Sequence, residues 1–137
     1  MTLLRKIKKY KFKSFSRSSG KLFPVNFDNK FPFKTKRIFF IYGKKNKIRG
    51  EHAHKKCSQF FFPIYGKLVL YIETPKTKKK VVLNHQSKTA ILVPPKYWCS
   101  IKFIKKNSIL MVACDKYYNV DDYLESFSEY KRYLKKL

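Results

Sequence analysis

Two of the chain's three histidines stand one residue apart, in the stretch Arg49-Gly50-Glu51-His52-Ala53-His54-Lys55-Lys56. On a strand, side chains alternate with period two, so His52 and His54 project from the same face. Two imidazoles converging from one strand can ligate a metal, or they can take and give protons near neutral pH. The third histidine, His85, falls in a turn, where a structural role is the simpler reading.

Positioning such a pair is work for a β framework, and most of the chain reads as short strands. Arg37–Tyr42 is β-branched and aromatic and ends at Gly43. Residues 43–50 read as an exposed turn, 51–63 as a strand region, and 68–73 as a strand closed by Thr74-Pro75 and a Lys-rich tip. Residues 81–83, 90–93 and 98–104 and Ile109–Cys114 follow at regular spacing, which predicts an all-β sandwich or barrel. The period then changes: Tyr123, Phe127, Tyr130, Leu134 and Leu137 form one helical stripe. Asp122 with Glu125 makes a capping box. A C-terminal helix over about 121–137, docked on the β unit, is expected. At 137 residues the whole chain is expected to form a single domain.

The charge is +25, from 33 basic and 8 acidic residues. A nucleic-acid-binding β-barrel, with aromatic side chains stacking on bases, is one class this admits. Against it, only five of the basic residues are Arg, the side chain that recognises phosphate in two-pronged fashion, and the Lys are scattered from Lys6 to Lys136. Drift over the surface, with no specific nucleic-acid partner, accounts for them better. The three cysteines, Cys57, Cys99 and Cys114, include no CxxC pair, which argues against a disulfide scaffold or a zinc ribbon; Cys57 and Cys114 read as small apolar fillers. The longest apolar runs, such as 60–65, are too short to span a bilayer, so no membrane partner is expected. The basic stretch 1–13 is not followed by the apolar run of a secretory leader. A cytoplasmic protein is the expectation.

Reading on from the histidines, four residues separate His54 from Gln59 and six separate Gln59 from Gly66. This resembles the first signature of the cupin superfamily, HxHx(3,4)Ex(6)G, with Gln59 at the Glu position. Cupins are small jelly-roll barrels with the active site in the mouth. In the second signature Pro94 fits the proline, while Lys96 takes a glycine position, Cys99 the histidine position and Phe103 the asparagine position. A neutral amide and a thiol match no common divalent-metal site. A metal-free pair, His52 and His54, acting as general acid and base is therefore favoured over a metal-dependent cupin.

A narrower resemblance is to the dTDP-4-keto-6-deoxyglucose 3,4-ketoisomerases, the WxcM-like branch of the cupins. It is carried by Phe31-Pro32-Phe33-Lys34-Thr35-Lys36-Arg37-Ile38-Phe39-Phe40, by the histidine stretch, by Pro94-Pro95-Lys96-Tyr97-Trp98 and by residues 117–130. The sequence departs from the family at Arg17-Ser18-Ser19-Gly20, where an Asp and an Arg are common, and at Phe39 and Phe40, where tyrosines are common. The resemblance implies a dTDP-linked 4-keto-6-deoxysugar as substrate, no cofactor, and catalysis by His52 with His54 carrying the second proton. Arg37 and Arg49 would clamp the diphosphate, or else form surface ion pairs. Gln59 would bond a histidine or a sugar hydroxyl. Trp98 is left open between a wall of the substrate pocket and a core residue. A homodimer formed through exchanged amino-terminal strands, in surface-glycan amino-sugar synthesis, is implied as well.

Overall fold

The computed structural model describes residues 4–137; residues 1–3, the start of the basic stretch, lie outside the described residues. Two five-stranded antiparallel sheets face each other in a jelly-roll-like arrangement. The first has the order β1 (Lys8–Lys11), β9 (Thr89–Val93), β6 (Gln59–Tyr65), β11 (Ile109–Cys114), β4 (Arg37–Tyr42). The second runs β12 (Tyr123–Leu124), β5 (Ile48–His54), β10 (Trp98–Phe103), β7 (Lys67–Glu73), β8 (Lys78–Asn84). A ribbon of β2 (Phe15–Arg17) and β3 (Gly20–Leu22) pairs with neither. The expected barrel is thus a sandwich whose sheets do not close on one another.

From β4 onward the chain alternates between sheets, apart from the β7–β8 hairpin, so each inner face contributes to one core: Phe61, Ile91, Leu110 and Val112 from the first, Leu68, Leu70, Ile72, Leu83, Ile101 and Phe103 from the second. The outer face of the first sheet is covered too. Phe60, Phe62 and Met111 lie beneath Tyr10, Phe12, Phe23, Phe31 and Phe33. Burial on both faces is why β6 reads as an unbroken apolar run.

The expected strand region 51–63 is two strands. The chain leaves the second sheet at His54 and enters the first at Gln59, and this crossing is what sets the two residues opposite one another. The predicted turn also ends early, because β5 begins at Ile48. Opposite Cys99 and Ile101 the register of β5 takes up one extra residue, a bulge at Gly50, whose φ of 65° suits glycine.

The C-terminal helix is shorter than expected: α1 spans Phe127–Lys135, and Tyr123 belongs to β12. The cap is Ser126, whose Oγ accepts the Glu129 N–H at 3.1 Å. Asp122 is not a cap, because its carboxylate is engaged elsewhere. Helix α1 lays Phe127, Tyr130 and Leu134 on Trp98, Ala53 and Leu124. Trp98, 8% exposed, packs edge-on to Phe127 with centroids 5.5 Å apart. It is a core residue under the helix and does not line the histidine cavity.

Candidate active site

At the crossing end, a cavity of about 250 Å³ opens between the sheets. Phe39, Phe40, Ile41, Gln59 and Phe61 wall it from the first sheet, and Arg49, Gly50, His52, Cys99, Ile101 and Tyr123 from the second. The Gly50 bulge lies directly before His52, where it re-aims the strand. The His52 and His54 rings meet edge to face with centroids 5.0 Å apart, and the Tyr123 ring packs on both, at 5.0 and 4.5 Å.

The two imidazoles sit in different electrostatic settings. Burial, with His54 adding repulsion, lowers the His52 pKa to about 4, so it is neutral and can accept a proton. His54 is deeper, 5% exposed, and its pKa is lowered by burial as well, while the bond to Asp122 pulls the other way. Its Nδ1–H donates to Asp122 Oδ2 at 2.8 Å, and its Nε2 has no partner. Sequence reasoning missed Asp122 as a site residue: a local cap pattern masked a partner 68 positions away.

Of the other expected site residues, Gln59 and Arg49 line the cavity with His52. Arg37, expected to clamp the diphosphate, does not line the cavity. Its Nη2 donates to Cys114 Sγ at 3.7 Å, and its guanidinium lies 5.5 Å from the Tyr118 ring centre. Cys114 is therefore more than an apolar filler: the Cys57 thiol and Arg37 beside it favour its thiolate, against the effect of burial.

Cys99 and Gln59 occupy positions where cupins carry ligands, but they do not suit a metal. Burial pushes the Cys99 thiol up to about 12, and Gln59 carries no charge. His54, Cys57 and Asp122 also bring potential ligand atoms within 4.8 Å of one another. There the Cys57 thiol is pushed up, through its bond to Cys114 and its burial, and the His54–Asp122 pair already forms a hydrogen bond. The first set thus offers no anionic ligand, and the second is engaged in its own hydrogen bonds.

The model of the family described as FdtA (WxcM-like, C-terminal) matches residues 5–135. A TDP-4-oxo-6-deoxy-alpha-D-glucose-3,4-oxoisomerase of Aneurinibacillus thermoaerophilus is 26% identical over 127 residues, 92% of this chain and 91% of that protein. The sugar 3,4-ketoisomerase QdtA of Thermoanaerobacterium thermosaccharolyticum, solved in complex with TDP, is 27% identical, with a TM-score of 0.88 and 98% of both chains covered. The TDP-fucose-3,4-ketoisomerase WlaRA of Campylobacter jejuni is 27% identical, with a TM-score of 0.82 over 94% of this chain and 96% of that one.

Proposed function

We propose that this chain, which belongs to the FdtA family (WxcM-like, C-terminal), is a TDP-4-keto-6-deoxyglucose 3,4-ketoisomerase with His52 and His54 as its acid/base pair. The observation that carries the reading is the imidazole pair, 5.0 Å apart, of which His52 lines the cavity together with Arg49, Gln59, Cys99 and Tyr123 while His54 packs against it from behind the lining. The relatives' names and the chemistry of the site support the same reaction.

The C4 carbonyl acidifies the C3–H. His52, neutral and facing the cavity, removes that proton while O4 gains one, giving the enediol. The enediol loses the O3 proton and is reprotonated at C4, with His54 supplying or relaying the proton. The ketone has then moved from C4 to C3, and since oxidation level is only exchanged between adjacent carbons, the reaction needs no redox cofactor. About 250 Å³ accommodates the sugar, and the nucleotide lies along the rim, where Arg49 meets the diphosphate. Gln59 bonds a sugar hydroxyl.

A homodimer is part of the proposal. The β2–β3 ribbon exposes Phe15 and Leu22, and edge strand β4 exposes Ile38, Phe40 and Tyr42. A two-stranded ribbon is marginal alone, so a second copy is the natural support. Among the described residues no helix is long and apolar enough to cross a membrane. A nucleotide-activated substrate places the work in the cytoplasm, upstream of amino-sugar formation for surface glycans, with the chain acting as a single domain.

The test is incubation with TDP-4-keto-6-deoxyglucose in deuterated water, followed by proton NMR. The expected product is the 3-keto sugar carrying deuterium at C4. Unchanged substrate, in a preparation that TDP does not stabilise against heat, would overturn the reading.

A further inference from the structure

We propose that Asp122 is a positioning residue of the isomerisation: by accepting the Nδ1–H of His54 it holds that imidazole, packed against His52, in the tautomer that keeps a lone pair on Nε2. The inference rests on the ketoisomerase reading.

The acid is held from several sides. It closes a turn, Val120–Asp122, with its own N–H donating to the Asn119 carbonyl at 3.0 Å. Its carbonyl accepts the Lys55 N–H at 2.8 Å. Oδ1 accepts the Lys56 N–H at 2.7 Å, which leaves Oδ2 for His54. The histidine is held as firmly: its carbonyl accepts the Lys96 N–H at 2.7 Å and its ring lies against Tyr123. Two other charged groups act on His54, and both are engaged elsewhere: Arg37 with Cys114, and Asp115, whose Oδ1 accepts the Ser58 N–H at 2.8 Å. The one unpaired atom of the imidazole is Nε2, buried and without a partner. A buried acceptor without a donor costs stability, and a fold keeps it where a ligand will complete it.

Asp122→Asn separates positioning from mere support, because it preserves shape. The amide oxygen is the group that can keep the bond from the Lys56 N–H. The amide NH₂ then faces His54, whose Nδ1 must accept, and the ring proton moves to Nε2. The Nε2 lone pair is lost without a change in volume, as in a triad whose orienting Asp becomes Asn.

Nitrogen-15 NMR of the imidazoles in the ligand-free protein is expected to find His54 as the Nδ1–H tautomer in the parent and the Nε2–H tautomer in Asp122→Asn. In the same variant kcat should fall about 10²-fold, within the range of acid/base contributions, with KM for the keto-sugar held within about twofold. Asp121→Asn, at the exposed neighbour, should change neither reading. An Nε2–H tautomer in the parent, an unchanged tautomer in the variant, or a loss that tracks melting temperature or KM would overturn the proposal. A correct tautomer switch in a parent that does not isomerise would instead sink the functional reading, and with it the role of Asp122 in catalysis.

Discussion

Ser108 and His54 are both buried polar side chains, 1% and 5% exposed, at opposite ends of the sandwich, and they are satisfied to different degrees. The Ser108 hydroxyl accepts the Lys67 N–H at 3.1 Å and donates to the Lys105 carbonyl at 2.6 Å. Its backbone carbonyl accepts the Gly43 N–H at 3.0 Å. Gly66 approaches so closely that a Cβ there would lie 2.1 Å from Ser108 Oγ. The hydroxyl both donates and accepts, so the side chain is satisfied and ties two turns together. His54 has one ring nitrogen fixed and the other bare. His85 makes the same point within one residue type: its Nδ1 accepts the Gly66 N–H at 3.0 Å while the ring stacks on Tyr65, an arrangement suited to support. Burial alone does not mark a site; an unfilled valence beside a second imidazole that lines a cavity is a stronger sign.

If that contrast holds, substitutions at the two ends should fail differently. The largest effect is expected at the crossing end: His52→Asn, and separately His54→Asn, should each lower isomerisation by about 10²–10⁴-fold, with the folded state retained by circular dichroism. Turnover within about tenfold of the parent would remove that histidine from the acid/base pair. At the other end, Ser108→Ala should cost about 1–3 kcal/mol in urea unfolding, by stranding the Lys67 N–H, while kcat stays at the parent value. Equal losses of activity and stability in both sets would erase the distinction.

Acid gives a smaller effect with a definite sign. His52 has its pKa lowered to about 4 in the folded state against about 6.5 when unfolded. The unfolded chain therefore binds the extra proton first. Stability from this group is complete above about pH 6.5 and is lost as the pH falls toward 4. Between pH 7.5 and 5 unfolding should become easier by on the order of 1–2 kcal/mol, and His52→Asn should flatten that slope. A parent and a variant with identical pH profiles would mean that His52 is solvated. The smallest expected effect is none: exhaustive chelation should leave turnover unchanged, since Gln59 and Cys99 stand at the cupin ligand positions and the His54–Asp122 pair is engaged in its own hydrogen bond. Lost activity that a divalent ion restores would reassign the histidines.

Wherever local chemistry decides the outcome, the sequence was readable. Arg37–Tyr42 and Ile109–Cys114 match β4 and β11 to the residue, because β-branched and aromatic runs end there at turn residues. The same-face histidines follow from period two; Gln59 was singled out by its place in the cupin signature, but its position opposite them depends on a crossing between sheets that residues 51–63 do not announce. Strands β1 to β3 were not legible: short, Lys-bearing segments such as Lys8–Lys11 pattern as solvated charge, and β1 gains its identity by pairing with β9, some eighty positions on. Trp98 was undecidable because a pocket wall and a core layer draw on the same residue type; the helix that covers it settles the matter. Asp122 was misread for the opposite reason. Its neighbours make a persuasive helix start, yet the actual cap is Ser126, and the carboxylate answers to residues far back in the chain.

That distance has a consequence for biosynthesis. The histidine is translated 68 residues before the acid that orients it. At about 5–20 residues per second the strand bearing His52 and His54 waits some 3–14 s for Asp122 to be made, and longer for it to clear the ribosome. Strand β12, which closes the edge of β5, arrives in the same late segment. A nascent chain can therefore pair β5 with β10 before the carboxylate that meets His54 Nδ1 has emerged.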